Sequence, residues 1–158
     1  MTTDGVREVL VASAHALAHD DDLESTLSTM LGAVARAFDV GSAAIVARRG
    51  DGEGVEIIAS FGLDERAAAG LSEAIARPTH PIARTFAEPT ASYDLTPVNP
   101  GGPKLRSHLP LIVTRDGSEK LVGVLALAHE DPIDAEDRPV LEAVADLAAV
   151  AMERDRQA

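Results

Sequence analysis

The stretch HLPLIVTRDGSEKLVGVLALAH spans residues 108–129. Two apolar runs flank a polar TRDGSEK, which reads as strand, turn and strand. Asp116-Gly117 supplies the residue types that a tight hairpin turn with φ > 0 requires. Successive strand side chains point to opposite faces. Leu109 and Leu111 therefore share one face, and His108 shares the other with Pro110 and Ile112. Pro110 cannot donate to a ladder, so a bulge or a missing ladder partner is expected beside it.

Helical patterns lie on both sides of this hairpin. Residues 5–19 carry Val6, Val9, Leu10 and Leu17 at helical spacing. A second helix, 23–38, sets Leu23, Leu27, Met30, Leu31, Val34 and Phe38 on one face, with Asp21 or Asp22 as its cap. Residues 42–49 and 55–61 are short, β-branched and glycine-bounded, and read as another hairpin. The tip between them contains Arg49-Gly50-Asp51, whose glycines suit a turn and lack the helix and Lys-Ser/Thr of a phosphate loop. Next come a helix at 64–76 capped by Asp64, a stop at Pro78, and a short helix at 81–87 with Pro81 at its first position. Residues 91–103 give a short strand at most, then a loop. A last helix occupies 135–156, its regular part starting close to Pro139.

Two hairpins separated by a helical insertion form one antiparallel sheet in an α+β fold. The N- and C-terminal helices cover one face, and the helical and loop insertion 64–104 covers the other. An irregular cover leaves room for a cavity, the usual place for a small ligand. Residues 1–22 form an N-terminal helix suited to dimerisation or linkage, and 23–156 form the domain proper.

Composition narrows the function. The chain has 158 residues and 46% hydrophobic residues, which suits one domain with its own core. Aromatics are only 3%, so that core is aliphatic. With no cysteine there is no disulfide, thiolate metal site or thiol nucleophile. Twenty-six acids against 14 bases give a net charge of −12, which argues against nucleic acid and anionic membranes as partners. No basic-apolar leader and no membrane-length apolar run is present, so the expectation is a cytoplasmic protein.

The segments LPL (109–111), LVGVLAL (121–127) and EDRPVLEAVADLAAVAME (136–153) resemble the end of a GAF domain: a vPL strand, a turn, a lvGvLal strand and a final helix. HPIARTFAEP (80–89) resembles the short helix that many GAF domains place over their ligand pocket. The related PAS fold shares the element order, but the full helix before the first strand favours GAF. The resemblance covers about residues 23–155 and implies a sensory or regulatory domain. Such domains bind cyclic nucleotides, haem, tetrapyrroles or metabolites and often dimerise through their end helices. Bilin attachment and methionine sulfoxide reduction in this family use cysteine, which this chain lacks. The NKFDE signature of cyclic-nucleotide-binding members is also missing.

The candidate ligand-binding residues are His80, Arg84, Phe86, Tyr93, Arg106 and His108. His80 precedes the short helix and could ligate or hydrogen-bond a ligand. His108 faces the expected cavity. Arg84 and Arg106 could hold an anionic ligand through bidentate hydrogen bonds. Tyr93 suits a pocket wall. Phe86 and Phe61 read as core, and Phe86, on the short helix itself, is also a candidate for the pocket. His15 and His19, at i and i+4, could grip a metal but read as a solvated helix end. His129 reads as an end residue. No catalytic residue or metal ligand is assigned, no cofactor is identified, and no enzyme activity is expected.

The expected function is binding of a small molecule between the sheet and residues 78–108, with signal relay through the terminal helices. Expected partners are a second copy of the chain and an effector domain or partner protein. The alternative is a dimerisation and relay module with a vestigial pocket, using a seam of Ala145, Ala148, Ala149 and Ala151.

Overall fold

The computed structural model describes residues 3–19, 22–50, 52–97 and 102–157. Asp20, Asp21, Asp51 and the side chain of Val6 lie outside the described residues. The elements are α1 (Thr3–His19), α2 (Leu23–Phe38), β1 (Val40–Arg48), β2 (Val55–Phe61), α3 (Glu65–Ile75), α4 (Pro81–Ala87), β3 (Ser92–Leu95), β4 (Leu105–Arg115), β5 (Ser118–His129) and α5 (Arg138–Gln157). They build one five-stranded antiparallel sheet in the order β2-β1-β5-β4-β3.

The expected caps form. Asp22 accepts the Ser25 N–H at 3.0 Å, and Asp64 accepts the Ala67 N–H at 2.7 Å. The polar TRDGSEK is mostly strand. The turn is only Asp116 and Gly117, at φ 52° and 79°, and Arg115 pairs directly with Ser118. The register shift expected near Pro110 falls between Leu111 and Ile112. Because β3 reaches only as far as His108, Pro110 lies where β4 has become a sheet edge, where its missing N–H is tolerated.

The two sheet faces bury different layers. Helices α2 and α5 pack on one face, with α1 against both. Leu27, Met30, Leu31, Ile45, Leu109, Leu111, Leu125, Leu127 and Leu141 fill that layer. Burying each such side chain contributes about 2 kcal/mol. On the opposite face, α3 and α4 bring Ile75, Ile82 and Phe86 onto Val46, Val124 and Ala126. Among the described residues, no helix is long and apolar enough to cross a membrane.

Gly123 shows why the lvGvLal strand needs its glycine. A Cβ there would lie 2.7 Å from the Val46 carbonyl oxygen and 3.1 Å from Met152 Cε. β5 is central in the sheet and presses on both β1 and α5, leaving no room for a side chain.

The alanine seam is not free for a partner. Ala145, Ala148, Ala149 and Ala151 are buried within the chain's own core. Small side chains let α5 approach α2 and the sheet closely, and that approach consumes the surface assigned to a second copy.

Candidate functional site

His108 is the central residue of the insertion-side face. It pairs with Ala126 of β5 and lies in the layer of Val124 and Ala126, beneath α4. It is only 3% exposed, and its Nδ1 has no hydrogen-bond partner. A buried polar atom left unpaired is costly, so it marks a place where a partner would be stabilising. Burial, and then the nearby His80 and Arg106, push the His108 imidazole down to about 4.

His80 is half-buried ahead of α4. Its Nδ1 accepts the Ile82 N–H at 3.1 Å and so caps the helix. This bond places the neutral ring's proton on Nε2, which is thereby a donor. Burial, Arg106 and Arg77 all lower its pKa. Pro81 at the next position fits a first turn whose N–H would be unpaired in any case.

Arg106 enters from β4, two residues before His108. Its Nη1 donates to the Pro103 and Leu105 carbonyls at 2.6 and 3.1 Å, which ties the loop into the strand. Its Nε and Nη2 meet no acceptor among the described residues. Burial lowers its pKa, and the Glu130 carboxylate opposes that effect.

The structure thus brings three of the candidates together: His80, Arg106 and His108. Phe86 shares their layer as an apolar residue, with the Arg48 guanidinium 5.1 Å from its ring centre. Arg84 stands exposed on the outer side of α4. Tyr93 lies apart, on the helix-covered face. Ser92 pairs with His108 and so shares its face, which turns Tyr93 to the other side. There the Arg138 guanidinium lies over its ring at 4.4 Å. The Tyr93 hydroxyl is buried without a well-formed hydrogen bond. Burial, and then the Glu142 carboxylate, push its pKa up to about 12.

Sequence reasoning missed Ser92 and Arg77, which join the group only through strand register and the loop before α4. It also missed His129, which is 1% exposed. Its Nδ1 donates to the Asp131 carbonyl at 2.7 Å, and its Nε2 lies 2.8 Å from the Ser107 hydroxyl. Ser107 is fully buried and accepts the Asp94 N–H at 3.1 Å. This serine–histidine pair is a structural latch. The His15 and His19 rings meet at a 40° tilt with centres 4.3 Å apart on exposed helix, and no group of three or more metal-ligating side chains occurs among the described residues.

Two cavities lie against α1. One, of about 570 Å³, is an open groove lined by Arg7, Glu8, Val11, Ala12, His15 and Thr29. The other, of about 390 Å³, lies against Val9, Ala33 and Arg36. Neither touches His80, Arg106 or His108.

Three comparisons bear on this architecture. The GAF domain from an Acinetobacter phosphoenolpyruvate-protein phosphotransferase superposes with a TM-score of 0.79 at 14% identity, covering 99% of this chain and 97% of that one. The free methionine-R-sulfoxide reductase of Neisseria meningitidis, solved with its substrate, gives 0.77 at 16% identity over 99% and 95%. The second GAF domain of DevS from Mycobacterium smegmatis gives 0.67 at 19% identity over 86% and 96%. No curated protein matches the chain. At these identities the likeness establishes the fold alone. The family model for the GAF domain matches residues 22–154, from the cap of α2 to the end of α5. The chain therefore belongs to the GAF domain family, a family of sensory and regulatory domains.

Proposed function

We propose that this domain binds a small molecule on the insertion side of its sheet, between β4–β5 and residues 78–108, and relays occupancy through α1 and α5. The observation that carries this reading is the buried, unpartnered Nδ1 of His108 beside His80 and Arg106. Polar groups meeting on an otherwise apolar layer are what a small-ligand site needs for orientation. Packing supports the relay: β4 and β5 present His108 and Ala126 on one face and pack against α5 on the other. A bound effector domain or partner protein would receive the signal at those helices.

Native mass spectrometry of the purified protein after exposure to a metabolite extract tests the binding. A small molecule retained in the mass spectrum, whose fraction also shifts the His108 and Phe86 resonances by NMR, is the expected result. Failure of every fraction to shift them would remove the reading.

A second reading, a homodimer through the terminal helices, is favoured by Val11, which is 60% exposed in the groove beside α2. Light scattering tests it. The wild type should be dimeric and Val11→Asp monomeric; a monomeric wild type sinks it.

A further inference from the structure

The chain is strongly acidic, yet its acids avoid one region. No Asp or Glu occurs from residue 74 to 87 or from 95 to 115. The same two segments hold Arg77, His80, Arg84, Lys104, Arg106 and His108. Only residues 88–94 separate them, and the fold packs the two segments against each other where α4 lies on β4. In a molecule of net charge −12, this is a local reversal of sign located at the proposed site.

The donors present are those an anion requires. Arg106 supplies permanent charge, with Nε and Nη2 left over after Nη1 is spent on the loop. His80 supplies an N–H at Nε2, since Nδ1 is committed to Ile82. His108 supplies a buried Nδ1 with no partner. Ser92, opposite His108 on β3, adds a hydroxyl on the same face. The acid that acts on this group is Glu130, through Arg106. A cationic ligand would be repelled by these donors, a neutral one would leave the Arg106 charge uncompensated, and an oxyanion would meet both the donors and the charge.

We infer that the site takes a small oxyanion, a carboxylate or a phosphate-type group, held by Arg106, His80 and His108. The inference rests on reading this face as the small-molecule site, and it names the ligand class. Anion binding would favour the imidazolium form of His108, whose neighbours His80 and Arg106 now oppose it, while Ala126 and Ser92 carry no charge.

Side-chain NMR of the histidines in the full chain, at fixed ionic strength, tests this with four probes. Sulfate and formate represent the two anion sources; adenosine and glucose are neutral controls. Saturable shifts of His80 and His108 by sulfate alone indicate a phosphate-type ligand, and by formate alone a carboxylate. Arg106→Gln and His108→Leu should each weaken binding at least about tenfold. Arg49→Gln, at the β1–β2 tip, should leave it unchanged. Arg106 also holds its loop, so Arg106→Lys, which keeps the charge, should restore part of the affinity. Shifts by the neutral probes without the anions overturn the anion class and leave the pocket standing. Silence from both anions overturns the anion class, and the small-molecule reading itself then stands or falls with the metabolite extract. Anion shifts that persist in Arg106→Gln and His108→Leu overturn the assignment to these residues.

Discussion

The Ser107 hydroxyl lies 2.8 Å from Nε2 of His129 and closes a buried chain across three strands. The chain runs from the Asp94 N–H of β3, through Ser107 of β4 and His129 of β5, to the Asp131 carbonyl. The Asp94 carboxylate extends it by accepting the Ile133 N–H at 2.9 Å and approaching Arg138 at 3.3 Å. Ser107 and His108 are neighbours on β4 that face opposite sides. A shift of β4 on its His108 side would therefore have a route of one residue to the hydrogen bonds at the start of α5.

Ser107→Ala should destabilise the fold by about 1–3 kcal/mol, because it leaves the Asp94 N–H and His129 Nε2 buried and unpaired. Urea denaturation measures the loss. A change below about 0.5 kcal/mol would show that the latch contributes nothing beyond packing.

Gly123→Ala should cost about 1–3 kcal/mol, since the new methyl must displace the Val46 carbonyl from 2.7 Å and the Met152 methyl from 3.1 Å. The flexible end of Met152 can yield; the backbone of β1 cannot do so without breaking the β1–β5 ladder. Met152→Ala in the same background should recover only a small part of the loss. Full recovery would place the clash on the side chain rather than on the strand.

Much of this architecture is legible in the residues themselves. Spacing locates the helices, and Asp22 and Asp64 mark two of their starts. Alternation from Leu109 assigns His108 to the insertion side. What escapes depends on pairing between distant segments. Ser107 and His129 are 22 residues apart and meet only because β4 and β5 pair in one register. Tyr93 turns away from the site because Ser92, rather than Tyr93, falls opposite His108. The alanines of α5 suit a partner helix and the chain's own core equally well, and only the packing of α2 decides between them.

The cap on α4 should be sensitive to acid. Nδ1 of His80 accepts the Ile82 N–H, and an imidazolium has no acceptor nitrogen. The folded ring has a pKa below its ordinary value of 6.5, through burial, Arg106 and Arg77. A depressed histidine pKa means that the cap's contribution is complete above the unfolded value and is lost as pH falls through the folded one. Hydrogen-exchange protection of the Ile82 amide should therefore fall with acid in the wild type. His80→Asn, whose side-chain oxygen caps without titrating, should hold its protection over the same range. Equal loss in both proteins would assign the effect to another group.

His108 should give the whole domain a pH slope. Its pKa moves from 6.5 to about 4 on folding, chiefly through burial and then through His80 and Arg106. The folded protein thus binds fewer protons than the unfolded chain between these values, and stability must drop as pH is lowered through that window. A shift of this size corresponds to a loss on the order of 3 kcal/mol, complete near the lower value. His108→Leu removes the titrating ring from a layer already made of Val46, Val124 and Ala126, so its stability should fall less steeply over the same range. Acidic groups complicate the lower end. Glu153, held down to about 2 by Arg115 and Arg156, titrates only below its usual range, so it adds its own slope there in both proteins. The difference between wild type and variant isolates His108, and parallel curves from pH 6.5 down to about 4 would mean that its ring is protonated as easily in the fold as outside it.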